Sequence, residues 1–346
     1  MAVLHHNVRP ATHSGSWYTD DADRLARQLN DFFALASANV DFDTTTGVPG
    51  ARVLVGPHAG YTYSGQRLAE TFASWDVSLP IDTIFILGPS HHVAFKHSAL
   101  VSQYDYYETP FGNLPINNAI CRHLTTLSSS SRKAPIFKFM DSDVDDDEHS
   151  FELHAPFIYH RLKPFYSESQ MPKLVPILIS SMDDKLCQDL LTSLLPYLHD
   201  KKYHFIISSD FCHWGARFAY TKYYPSAKSE LITLSSHGFA NNNYNDLPVY
   251  KSIELLDQQA MDIASEGSYG EWVDYISRTG NTICGQKPIA LLLRMIQEYR
   301  KTHGHEDGSR KPRVFEWIGY SQSNRARRPS DSSVSYASGY VRMDPK

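Results

Sequence analysis

The chain is poor in cysteine: Cys121, Cys187, Cys212 and Cys284 are the four in 346 residues, and no two form a CxxC pair. Free thiols in a reducing, intracellular compartment are therefore the simplest reading, with the cytoplasm expected and the nucleus as a second location. No apolar run approaches the roughly 18 to 20 residues that span a bilayer, so no membrane span is expected. The N-terminal stretch MAVLHHNVRPATHSGSW has no hydrophobic signal core, which argues against export. Basic residues number 33 against 38 acidic ones, a net charge of −5, and no long basic stripe is present. The nearest approach, Arg325, Arg327 and Arg328, reads as a solvated loop, so nucleic acid is not an expected partner. The motifs GxSxG, GxGxxG and GxxxxGK[ST] are all missing, and with them the usual support for a serine hydrolase, a Rossmann enzyme or a P-loop NTPase.

A hydrophobic share of 42% and a charged share of 21% are those of a soluble globular protein. Val- and Ile-rich runs predict strands at Val53–Gly56, Thr83–Leu87, Ala99–Ser102, Leu174–Ile179 and His204–Ser208, with two more at Arg313–Tyr320 and Ser333–Arg342. Helical spacings lie between them, at Asp20–Leu35, Ser64–Trp75 (with Ser64 as N-cap), Asp183–Leu198, Ser252–Glu266 and from Pro288 to about Tyr299. Alternating strands and helices predict an α/β fold with a mostly parallel or mixed central sheet. No stretch is long enough for an interdomain linker, so residues 1–346 read as one domain. Surface inserts are expected at 41–50, 128–147 and 303–312. The run DSDVDDDEH (Asp141–His149) holds six carboxylates in its first eight residues, and Asp141 to Asp147 read as a solvated acidic loop. Its end differs, because Glu148, His149, Glu152 and His154 lead directly into an apolar helix.

Four segments run from a strand or toward a helix through a polar turn: RVLVGPHAGYTY, IFILGPSHH, FIISSDFCHW and NTICGQKP. Ligands of open α/β sheets bind beyond the carboxyl ends of strands, so side chains distant in sequence converge there. His58 and His91 each follow a strand and a Gly-Pro pair, which makes both candidate metal ligands. Successive side chains of extended backbone point to opposite sides, so one of His91 and His92 enters the pocket. Asp210 and His213, three residues apart, would share one side of a helical turn, with Asp210 orienting an imidazole that serves as acid–base or ligand. Asp210 as a helix N-cap is the simpler alternative. Cys284 precedes an expected helix start, where thiolate is favoured, and is a candidate nucleophile or soft ligand.

The blocks SGSWY, PHAGYTYSG, ILGPSHHV, DEHSFELHAPF, SSDFCHWG, NTICGQKPI and DSSVSYASG, in order from residue 14 to residue 339, resemble the Memo family. Members of that family are named as mediators of receptor-tyrosine-kinase-driven cell motility. The resemblance implies a fold similar to class III extradiol ring-cleavage dioxygenases, which are non-haem iron enzymes. It implies a metal set of His58, His91 and Cys284, with Asp210 and His213 beside it as catalytic residues. Trp17 would line the mouth, where the family is associated with phosphotyrosine-peptide binding, and His92 would join it in contacting substrate or peptide. The family is also linked to copper or iron and to redox activity. Those dioxygenases use two histidines and a carboxylate, and thiolate at the third position favours softer metals, which argues against ring cleavage. The expected function is metal-dependent redox activity with copper or iron. A phosphotyrosine- or peptide-binding signalling module is the alternative, and a zinc-assisted hydrolase the third reading.

Overall fold

Six- and seven-residue runs of Val, Ile and Leu are buried along their whole length, the pattern of strands covered by helices on both faces. The computed structural model describes residues 7–235, 247–303 and 313–343. Its central sheet has nine strands: β1 (Ala51–Gly56), β2 (Thr83–Pro89), β3 (Ala99–Val101), β4 (Phe137–Phe139), β5 (Lys173–Ile179), β6 (Tyr203–Ser208), β7 (His213–Trp214), β8 (Glu316–Gln322) and β9 (Ser333–Arg342). The order across the sheet is β7-β9-β1-β6-β2-β5-β3-β4, and β8 pairs with β9. The four middle strands β1, β6, β2 and β5 run parallel, with Gly56 opposite Ser208, Leu87 opposite Ile207 and Pro89 opposite Ile179. β9 joins antiparallel to β1, and β3 antiparallel to β5, so the sheet is mixed, as the sequence led us to expect.

Helix α1 (Ala22–Asn39) is capped by Asp21, whose side chain accepts the Arg24 N–H at 2.9 Å. It packs on α2 (Tyr61–Ser74), which lies against β1 and β9. A second pair, α3 (Asp184–His199) and α4 (Gln286–His303), packs against β2 and β6. The apolar faces of both pairs close one large core that includes Phe72, Phe85, Leu190 and Leu292.

Three local expectations need correction. Helix α2 starts at Tyr61, three residues before Ser64, with Gly60 in the cap position. The Tyr61 N–H donates to the Trp17 carbonyl at 3.0 Å, and a Cβ on Gly60 would come within 3.2 Å of that oxygen. The chain after β6 makes no helical turn. Phe211 donates to the Ser335 carbonyl and Ser335 to the Cys212 carbonyl, which draws residues 211–214 out along β9. The 128–147 segment is more than a surface loop, since it contains β4 and a short helix, Ser142–Asp147. Asp145 in that helix is 1% exposed and pairs with Arg9, which is fully buried. The 41–50 stretch is built of turns and bends, and residues 304–312 of the third expected insert lie outside the described residues.

Candidate metal centre

Because β1, β2 and β6 are parallel, their carboxyl ends share one edge of the sheet, and each carries an ionisable residue two positions on. These are His58 after Gly56, His91 after Pro89 and Asp210 after Ser208. The Asp210 carboxylate accepts the His58 backbone N–H at 2.8 Å, tying the first turn to the third. The His58 ring places Nδ1 2.7 Å from Ser208 Oγ, while its Nε2 is buried with no hydrogen-bond partner. Glu148 grips His91 twice, accepting its backbone N–H at 2.9 Å and its Nδ1–H at 2.8 Å. A carboxylate accepts only, so His91 carries a proton on Nδ1, and in the neutral ring Nε2 is the lone pair.

The third imidazole is His149, at the start of a one-turn helix, His149–Glu152. His58, His91 and His149 each offer a ring nitrogen, and those atoms all lie within 4.8 Å of one another. Their ring centroids are 4.1 Å apart for His91 and His149, 5.0 Å for His58 and His91, and 5.4 Å for His58 and His149. Burial, and then the neighbouring imidazoles, push His58 well below the ordinary histidine range. The same causes take His149 down to about 3. Both rings are therefore neutral at physiological pH, the form that binds metal. Burial works to raise the Glu148 carboxyl, but the hydrogen bond from His91, the charges of His91 and His149 and the Ser150 N–H outweigh it and hold it at about 2.

The cluster forms the floor of a cleft of about 760 Å³. Trp17, 37% exposed, lines its mouth with its ring 4.6 Å from that of His149. His213, Arg217 and Phe218 line another part of the wall. His91 and His92 are both exposed, but the His91 ring lies 4.1 Å from that of His149 and that of His92 6.2 Å, so His91 is the member of the pair that joins the cluster. Asp210 also reaches the cleft, but it does not orient His213 as the sequence reading had it. The His213 ring bonds through Nδ1 to the Phe211 carbonyl at 3.0 Å, which turns Nε2 toward the Cys284 sulfur 3.7 Å away. Burial raises the Asp210 carboxyl, against the opposing charge of His213 and the N–H groups of His58 and Ala59.

Cys284 stands beside His213, its Sγ 3.7 Å from Nε2 and 3.8 Å from Nδ1, and is not one of the three clustered donors. Its expected thiolate character is not found. Burial drives the thiol well up, and the charges of Asp210 and Glu148 add to it, overriding the helix start at Gln286. Sequence reasoning missed His149 as a ligand candidate, although the change of character at the end of the acidic run had been visible. It also missed Glu148 and Ser208, which sit inside the DEHSFELHAPF and SSDFCHWG blocks, and Arg217, which lies just past the second.

A family model described as "Memo: Memo-like protein" matches residues 9–340. The "MEMO1 family protein MHO1" of Saccharomyces cerevisiae is 37% identical over 97% of this chain and 99% of its own length. "Protein MEMO1" of Homo sapiens and of Xenopus tropicalis are each 35% identical over 96% of both chains.

Proposed function

The chain belongs to the Memo family, and on that premise we propose that it is a metal-dependent redox protein whose ion is held by His58, His91 and His149. The observation that carries this reading is the bare Nε2 of His58, a buried polar atom with no partner at the bottom of a cleft. Leaving such an atom unsatisfied costs about 1–3 kcal/mol, and a cation held among the three imidazoles is the partner that removes the cost. Imidazole donors suit copper, iron and zinc. Bound there, copper or iron would supply one-electron chemistry, and zinc a Lewis acid. His213 takes or gives a proton at Nε2, and Asp210 fixes the turn that carries His58. Cys284 adds a soft donor once its sulfur has lost the proton that burial holds on it. Free thiols and a redox metal fit the cytoplasm or nucleus.

The test is elemental analysis of protein purified without chelator and without a histidine tag. Copper or iron near one per chain is the expected result. Zinc alone would move the reading to a hydrolase, and a folded protein that takes up no metal would overturn it. A second reading rests on Trp17 and Arg217, an exposed aromatic and a cation on one cleft. These two suit a phosphotyrosine-containing peptide, whose ring stacks and whose phosphate pairs. Metal-free protein that binds such a peptide, and loses it on Arg217→Ala, would favour that reading.

A further inference from the structure

Ser208 ends β6 with its hydroxyl between two imidazoles and a carbonyl. Its Oγ lies 2.6 Å from the Ser150 carbonyl oxygen, 2.7 Å from His58 Nδ1 and 3.0 Å from His154 Nε2. A serine hydroxyl has one proton and two lone pairs. The Ser150 carbonyl can only accept, so the single proton goes there. Both lone pairs of Oγ then face ring nitrogens, and each of those nitrogens has to bring its own hydrogen.

We propose that Ser208, held in this orientation by His154 and the Ser150 carbonyl, is a positioning residue that locks His58 in its Nδ1–H tautomer and so makes Nε2 a ready metal donor. In the opposite tautomer, lone pairs of Nδ1 and Oγ would meet at 2.7 Å, and an N–H would point at the metal position. His154 is what makes the lock rigid. It is fully buried, and its Nε2–H fills the second lone pair of Oγ. Ser208 cannot turn its proton toward His58 without stranding the Ser150 carbonyl, and with His154 donating it cannot turn it toward that ring either. His91 obtains the same tautomer from Glu148, so the two histidines that follow strands are set by different partners, one anionic and one neutral. A neutral lock fits His58, which is 1% exposed and would be costly to pair with a second buried carboxylate.

The inference deepens the metal-centre reading, and its test separates the two. Long-range proton–nitrogen correlation spectra of the metal-free full chain with labelled histidine report the His58 tautomer directly. The expected result is Nδ1–H for wild type and a mixture in Ser208→Ala. His154→Phe, which removes the donor, should also give a mixture, whereas His154→Gln, whose amide can still donate, should keep Nδ1–H. Zinc affinity, by chelator competition, should fall about 10- to 100-fold in Ser208→Ala and His154→Phe. Wild-type His58 in the Nε2–H tautomer would overturn the lock, as would a Ser208→Ala protein with unchanged tautomer. A wild type that binds no zinc, copper or iron but shows Nδ1–H would sink the metal reading and leave the lock standing. If Ser208→Ala does not fold, the two His154 variants decide.

Discussion

Replacing Glu148 by Gln would remove one negative charge and leave the shape of the side chain nearly intact. Glu148 accepts the His91 backbone N–H, the His91 Nδ1–H and the Ser150 N–H, all at 2.8 to 2.9 Å. An amide has one accepting oxygen for these three donors, and its NH₂ would face a donor in turn. The carboxyl sits at about 2 against an ordinary 4.5, a gap worth about 3 kcal/mol at 1.36 kcal/mol per pH unit. That figure is an upper value, because His149 is neutral above about pH 3 and adds no charge near neutrality. The sign follows from a depressed carboxyl. Its stabilisation is complete above about pH 4.5 and is lost as pH falls toward 2, so the wild type should lose stability over that window and Glu148→Gln should not. For the site, a charge-assisted bond to His91 becomes a neutral one, and metal affinity should fall about 10- to 100-fold. Chelator competition at pH 7 and urea unfolding between pH 2 and 7 read the two effects separately. Unchanged affinity together with a parallel pH dependence in both proteins would refute the role given to Glu148.

His149→Ala should weaken zinc binding by more than about 100-fold, while His92→Ala, at an exposed ring, should leave the same titration within a factor of about two. Arg9→Met should destabilise the fold by about 3–5 kcal/mol in urea unfolding, because it strands the buried Asp145 and Glu152 carboxylates; a loss under about 1 kcal/mol would contradict that pairing. Cys284, the one partly exposed thiol of the four, should be alkylated by iodoacetamide first, yet slowly below about pH 9 since burial raises it. Rapid labelling at pH 7 would show a thiolate after all.

The parallel half of the sheet was legible because its signal is local. A run such as RVLVG followed by Pro-His states a buried strand and its end in seven residues, and His58 and His91 come out of that pattern directly. The turn after β6 was misread for a reason the sequence holds only at long range. Nothing within Ser208–Trp214 announces that Ser335, more than 120 positions on, will bond its backbone on both sides and straighten it. Propensity offered a cap and a helical turn, and strand pairing overrode it.

His149 shows the same limit at the level of the site. An acidic run reads as solvated when its neighbours are unknown, and the partner that changes the reading is Arg9, some 136 residues earlier. Its guanidinium gives one N–H each to the carbonyls of Asp145 and Glu148, another to that of Asp146, and a further one to the Glu152 carboxylate at 2.7 Å. With Arg9 holding those carbonyls, the backbone of 145–148 is fixed and Glu148 is aimed at His91. Glu152 in turn accepts from His13 and from Tyr18 at 2.9 Å, which carries the Trp17 turn onto the face of His149. One buried cation thus organises both the anion that sets His91 and the aromatic wall over His149. The third candidate ligand was illegible because its place depends on an arginine that sequence alone gives no reason to bury.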